Sequence, residues 1–317
     1  MTRESSSSAP SKEERKSSHG FRREVRYGIH LLRKNPIVLL GSIVALGSIV
    51  LSLSSGLVVD QNSWKTTHIA LRLCWNNPIV NWNLRNVYDC AGPTTYTLGT
   101  DNYGRDVFRM IILAIPLDLR ISLEIVLSAV LIGTVFGGIA AYAGGTLDEL
   151  ILRLTDIFLA IPSLLLAIVL ATILGRTLEN LTLSVLITWW PTYVRLMRSQ
   201  VLTEKEKPYV EALRAVGAGR FRILFRHIVP NSIYPILVQG TLDIGSVILT
   251  FSALTFIGFS PSPLIPELGN LVNQGIEFVF TAPWLIIFPG LTIFIVSLGF
   301  NLLGDGIRDI FDPRLRR

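Results

Sequence analysis

Six stretches of the chain are almost free of charge and long enough to cross a bilayer. They run from Pro36 to Val59, about Ile121 to Tyr142, Ile157 to Leu174, Leu181 to about Leu202, Ser232 to about Phe259, and Pro283 to Leu303. A spanning helix needs ~20 apolar residues. Gly and Pro recur inside these stretches, as membrane helices tolerate and as close helix packing requires. The pattern predicts an all-α membrane protein with six transmembrane helices. Polar sequence divides them. A Ser-, Lys- and Arg-rich tail covers 1–35, the first span 36–59, and a polar outer segment 60–120. A five-helix core over 121–304 contains a polar loop at 203–230, and a short tail covers 305–317. The first 35 residues hold no apolar signal core, so the first span is expected to be an uncleaved anchor. Thr2 to Ser18 are expected to be disordered.

Charge sets the expected orientation. With the N-terminus inside, 22 of the 29 Lys and Arg fall in inside segments, as the positive-inside rule requires. An even number of spans returns the C-terminus to the same side, and the 203–230 loop is also inside. Charged residues are 16% of the chain and hydrophobic ones 50%, against a usual charged share of about 25%. A pI near 9.5 therefore reflects basic residues beside the spans rather than a nucleic-acid partner. The two cysteines, Cys74 and Cys90, both fall in the long outer segment, where an oxidising compartment permits a disulfide; two free thiols are the alternative.

The loop PYVEALRAVGAGRFRILFRHIVPN, Pro208 to Asn231, is the most informative polar stretch. Pro208 suits a first helical turn, and Glu206 and Glu211 lie near a positive helix end. Val210, Leu213 and Val216 read as one apolar stripe. Gly217-Ala218-Gly219 permits a reversal, and a second short helix is expected from Arg220 to Arg226, ending before Pro230. Such a helix–bend–helix fits a groove in another protein; an ordinary basic loop is the plain alternative. The run Tyr209, Glu211, Ala212, Gly217, Arg220 and Pro230 resembles the EAA loop of ABC importer permeases. Leu213, His227 and Val229 depart from the general pattern, and His227 is similar to the peptide-transporting branch.

Two more stretches carry the resemblance to the dipeptide/oligopeptide/nickel family, in its C-type subunit. They are LGTDNYGRDVFRM (Leu98 to Met110) and FNLLGDGIRDIFDPRLRR (Phe300 to Arg317). Arg120-Ile121-Ser122-Leu123 follows Gly-Arg-Asp a few residues later than in the family, across Ile115-Pro116-Leu117-Asp118. In the first stretch Thr100, Asp101, Gly104, Arg105 and Asp106 suggest an outer gate or docking ledge, or plain structural capping. Asp106 suits the cap of a short helix from Val107, apolar at Val107, Met110 and Ile111 and suited to the membrane interface. In the tail, Asp305, Arg308 and Asp309 share a turn, and Asp305 and Arg308 are spaced for an ion pair.

Polar groups inside spans are site candidates by default. Asp243 in the fifth span either lines a path or bridges helices. Glu124 is near enough to the surface to be interfacial. Arg195 and Arg198 are placed to snorkel, and Trp189, Trp190 and Trp284 are expected to be interfacial anchors. No G-x-x-x-x-G-K-[ST], H-E-x-x-H or G-x-S-x-G occurs, so neither ATP phosphates, zinc chemistry nor an elbow nucleophile is indicated. His19, His30, His68 and His227 are too scattered for a metal cluster.

The resemblance implies a type I ABC importer permease fold in a bacterial or archaeal plasma membrane. It implies a B-type permease partner, two ATPase subunits that carry ATP and Mg, and an extracytoplasmic solute-binding protein. The chain itself would bind no cofactor and catalyse nothing. Short peptides are the expected substrate, with oligosaccharides or nickel as family alternatives. A polytopic enzyme would need more intramembrane catalytic groups than Asp243. An ATP-independent channel or carrier would leave the EAA-like loop unexplained.

Overall fold

The computed structural model describes residues 35–58, 74 and 96–311. Among these, every regular element is helical apart from an isolated bridge between Thr100 and Asp106. In chain order the helices are α1 (Pro36–Val58), α2 (Val107–Ala143), α3 (Gly145–Leu159), α4 (Ser163–Leu174) and α5 (Leu178–Glu204). Then come α6 (Pro208–Ala215), α7 (Arg220–Ile223), α8 (Val229–Ser232), α9 (Tyr234–Leu254), α10 (Leu268–Gly275) and α11 (Trp284–Phe311). Wider π-helical turns, Leu224–Ile228 and Thr255–Phe259, extend α7 and α9.

Four helices are long and apolar enough to cross a membrane: α1, α2, α9 with its π turn, and α11. The bent pair α3 and α4 would make a fifth. The third expected span, Ile157 to Leu174, is corrected: the chain breaks at Ala160–Pro162 and the two helices meet at 89°. Pro162 lacks an N–H and disfavours helical backbone at Ile161. The remaining α4, at 12 residues, covers about 18 Å, too little for a bilayer alone. Where the fourth span was expected, α5 is a single helix of 27 residues; Glu179, Arg195, Arg198 and Glu204 make it the most polar of the long helices.

The helix after Asp106 is not short, and the apolar face at its start packs into the protein core. α2 runs 37 residues, roughly 55 Å at 1.5 Å per residue, through Pro116 and on into the second span. Val107, Met110 and Ile111 are buried against Leu268, Trp284 and Leu285 of α10 and α11. Trp284 is likewise corrected from interfacial anchor to core: it is fully buried, and its Nε1–H donates to Thr100 O at 3.1 Å. A large ring with one donor is stable in a core once that donor is satisfied.

The longest seam joins α2 to α5. A Cβ on Gly133 would come 2.7 Å from the Tyr193 carbonyl carbon, and one on Gly137 3.0 Å from Met197 Cβ. The two glycines are four residues apart, so one face of α2 lets the backbones touch. A second inner layer packs Ile125, Val185, Leu181 and Phe251 with Ala167 and Ala171 of α4. Arg195 and Arg198 pair with acids of α3 instead of snorkelling. Arg198 donates to both oxygens of Asp148, at 2.6 and 2.7 Å, and Arg195 pairs with Asp156. Asp148 and Asp156 offer these arginines a nearer partner than the surface. α1 turns Ile37, Leu40, Ile43, Leu46, Val50 and Leu53 outward, the apolar face expected against lipid.

Candidate functional site

Three of the sequence-predicted groups occupy distinct places. The 203–230 loop lies at one end of the helix bundle, the Thr100–Asp106 turn at the other, and Asp243 between them.

In the loop, Lys207 caps α6 and Pro208 opens it. Val210 is fully buried with Met197, Val201, Ile223, Ile228 and Ile236, so the loop is docked on α5 and α9 rather than hanging free. The expected single stripe is corrected. Val210 is buried, Leu213 half-buried, and Val216 80% exposed. Three-residue steps advance 300°, so the stripe drifts, and Val216 already stands outside the helix as its C-cap. Gly217 makes the reversal with φ of +77° and open space around a would-be Cβ. The second helix is also corrected. It continues as a π turn, with Val229 N–H donating to Leu224 O, and passes through Pro230 into α8. The wider turn relieves the demand on the N–H that Pro230 lacks.

Glu211, Ala212 and Arg220 are exposed. Phe221, 75% exposed, stacks at 6.3 Å on Phe225. These rings and Val216 make up the loop's exposed apolar knob, and Arg214, Arg220 and Arg222 are exposed beside them in the chain. A cavity of about 700 Å³ opens beside it, between Tyr142, Leu147, Arg214 and Leu224. The loop's internal brace was not anticipated. Tyr209 Oη donates to Glu204 Oε1 at 2.9 Å and accepts from Asn231 at 3.4 Å, and Lys207 pairs with Glu204 at 2.5 Å. Partial burial, ahead of the Glu204 carboxylate, holds the Tyr209 phenol above its usual pKa, so it stays a donor. An acid closely followed by Lys205 and Lys207 was the only local hint. Lys205 Nζ also donates to Ala141 O at 2.8 Å, tying the loop to the end of α2.

At the opposite end, Asp101 accepts from the N–H groups of Tyr103 and Arg105 at 2.9 and 2.8 Å, closing a turn around Gly104, whose φ is +75°. Arg105 is buried and spans three segments. Its Nε pairs with Asp101 at 2.6 Å, Nη1 donates to Leu264 O at 3.0 Å and Nη2 to Gln274 Oε1 at 3.0 Å. Asp106 caps α2 through Phe108 N–H and pairs with Arg109 at 3.5 Å. The sequence marks Asp101, Arg105 and Asp106, whose charges lie within six residues, as one group; the grip of Arg105 on 264–274 was not legible there. Cys74 is disulfide-bonded and 2% exposed, and its N–H donates to Thr100 Oγ1 at 2.9 Å. Its expected partner, Cys90, lies outside the described residues.

Asp243 is 8% exposed and clasped between helices. Tyr193 Oη of α5 donates to one oxygen at 2.6 Å and Gln239 Nε2 to the other at 2.9 Å. The Trp189 side chain also donates to it, so neutral donors satisfy a carboxyl that has no cation beside it among the described residues. Asp243→Asn and Tyr193→Phe separate its roles. A bridging role predicts that Tyr193→Phe costs about 1–3 kcal/mol, the price of one unmet buried hydrogen bond, read as a lower unfolding midpoint in detergent. A pathway role predicts normal stability in Asp243→Asn but a transport rate that falls.

Glu124 is held by Arg120 at 2.8 Å on the exposed surface. Asp305 and Arg308 stand on the last turns of α11, and no ion pair joins them among the described residues. There, too, no group of three metal-ligating side chains occurs.

Residues 133–317 match the family of binding-protein-dependent transport system inner membrane components. The chain is 37% identical, over 90% of its length and 88% of the relative's, to the dipeptide transport system permease protein DppC of Alkalihalophilus pseudofirmus. It is 42% identical to DppC of Haemophilus influenzae over 72% of this chain and 77% of that one. It is 37% identical to the glutathione transport system permease protein GsiD of Pectobacterium atrosepticum over 76% and 82%. The match takes in the docked loop, the Asp243 clasp and the α2–α5 seam from Gly133 onward, and the chain belongs to the family of binding-protein-dependent transport system inner membrane components.

Proposed function

We propose that the chain is the C-type permease subunit of an ABC importer for short peptides. In this reading it spans a bacterial or archaeal plasma membrane six times, with both termini inside. It pairs with a B-type permease, receives substrate from a solute-binding protein outside, and is driven by two ATPase subunits that bind ATP and Mg. The chain supplies no catalysis. The carrying observation is the construction of the 203–230 loop. Val210 and Ile223 anchor it in the core, while Val216, Phe221 and Phe225 project as a knob with exposed arginines beside it in the chain. A surface apolar on the outside and fixed from the inside suits a protein groove and transmits force in both directions. Relatives named for dipeptide and glutathione transport support the peptide substrate.

The test uses the complex co-expressed from the neighbouring permease, ATPase and binding-protein reading frames, in proteoliposomes. ATP hydrolysis is measured with the binding protein loaded with dipeptides, an oligosaccharide or Ni²⁺. Stimulation by dipeptides alone is the expected result. Stimulation by one of the others moves the substrate within the family. Uptake with no ATPase subunit present would replace the importer reading with a carrier.

A further inference from the structure

Asp118 and Glu267 bring two carboxyl groups together in the interior, at the end of the bundle that carries the Thr100–Asp106 turn. Asp118 is 3% exposed and Glu267 0%. Glu267 caps α10, with Oε1 accepting from Gly269 N–H at 3.0 Å and Oε2 from Asn270 N–H at 2.7 Å. Asp118 Oδ2 accepts from Leu268 N–H, the residue next to Glu267, at 3.1 Å. The two acids are close enough to repel. Among the described residues Asp118 Oδ1 has no hydrogen-bond partner although it is fully buried.

Among the described residues no cation pairs with either acid. Arg105, the nearest buried guanidinium in the sequence, is committed to Asp101, Leu264 and Gln274. On α2 itself, Arg120 is exposed and paired with Glu124, and Arg109 with Asp106. α1 and α10 carry no charged residue, α9 carries only Asp243, about three turns from Leu254, and α11 has its charges in its last turns. On α5 the acid nearest this end, Glu179, is exposed, and Arg195 and Arg198 are paired with α3. Two neighbouring buried carboxylates without a counter-charge among the described residues are unfavourable together, even with Thr255 and Ser252 beside Glu267; a proton held by the pair removes the repulsion.

We propose that Asp118 and Glu267 share a single proton that keeps α10 seated on α2, and that losing it frees α10 and the 262–275 segment. Arg105 and Trp284 fasten the same region to the Thr100–Asp106 turn, so release of α10 loosens one side of the outer rim. Burial, ahead of all other causes, pushes the Glu267 carboxyl up to about 7. The seated state therefore holds more protons than the released one between the ordinary glutamate value of about 4.5 and about 7. Seating weakens as pH rises through that window and levels off above it.

Hydrogen exchange of the Leu268, Gly269 and Asn270 amides in the assembled complex, between pH 5 and pH 8, tests this without reference to the substrate. After correction for the intrinsic rate, wild-type protection should fall roughly 50–100-fold between pH 5 and pH 8. Asp118→Asn replaces one acid by an amide that still accepts from Leu268 N–H and can donate to Glu267. It should hold protection high and nearly constant. Glu267→Gln keeps one of the two cap bonds through its amide oxygen and loses the other, so it should flatten the profile at a lower overall protection. A flat wild-type profile overturns the proposal by itself. So does a wild-type-sized fall retained in either folded variant, which would assign the change to another group.

Discussion

Gly137→Leu removes the folded permease from the membrane fraction. The α2–α5 seam has no room: a Cβ at Gly137 already meets Val194 O and Met197 Cβ, and one at Gly133 meets the backbone of Tyr193. Overpacking a core typically costs about 1–3 kcal/mol when neighbouring side chains can shift. Here the obstruction includes backbone, so the helices must part. That also pulls Tyr193 from Asp243, adding about 1–3 kcal/mol for an unmet buried group. Together these terms approach the whole stability of an ordinary domain, about 5–15 kcal/mol. Quantitative blotting of membranes and size-exclusion of the solubilised complex measure the outcome. The controlled comparison is Gly137→Ala with Gly138→Ala as the control, since a Cβ at Gly138 meets only side-chain atoms at 3.7 and 3.8 Å. Equal loss in that control would show that any bulk in α2 is harmful and that the seam has no special part.

Gly217→Val leaves the permease assembled and uncouples it. A Cβ at Gly217 touches nothing, so the substitution acts through backbone alone. At φ of +77° a branched residue costs about 1–2 kcal/mol, roughly a 5–30-fold fall in the population of the native bend. That bend fixes the knob of Val216 and Phe221 relative to the buried anchors Val210 and Ile223. Substrate-stimulated ATP hydrolysis should fall by a similar factor while basal hydrolysis and abundance persist. Gly217→Asn, which tolerates this backbone, should retain most of the stimulation. Glu211→Lys, reversing an exposed charge in the first turn of α6, should lose stimulation by a different route, at the docking surface. Full stimulation in both Gly217→Val and Glu211→Lys would remove the loop from the coupling reaction.

The parts of this molecule that were legible in the sequence are those governed by local rules. Pro208 opening a helix, Gly217 reversing the chain, Asp106 capping α2 and Asp101 grouping with Arg105 each need only a few residues. The failures share a cause as well. Tyr193 and Asp243 are fifty positions apart, and Arg105 and Gln274 farther still, so no spacing could announce their bonds. Trp284 reads as an interfacial ring until Thr100 is known to lie over it. The break at Pro162 was visible, but hydropathy summed over Ile157 to Leu174 hides a bend that leaves every residue apolar. Val216 was misplaced because a three-residue step was extended beyond the helix that supported it. Asn231 reaches Glu204 only through Tyr209, across twenty-two positions of chain.

The length of α2 has a mechanical consequence. One end sits beside the docked loop, through Lys205 on Ala141 and through Leu224 and Val229 against Gly138. The other carries Asp106 and, through the turn before it, Arg105's hold on Leu264 and Gln274. A helix of roughly 55 Å pivoting near its loop end by about 5° sweeps its far end through about 5 Å. That stroke exceeds the length of the hydrogen bonds that fasten the far end, so the same tilt that shifts Gly133 by only about 1 Å is enough to break them. The helix acts as a lever with a short arm at the loop and a long arm at the rim, and Pro116, between Asp106 and Asp118, is where it has some give.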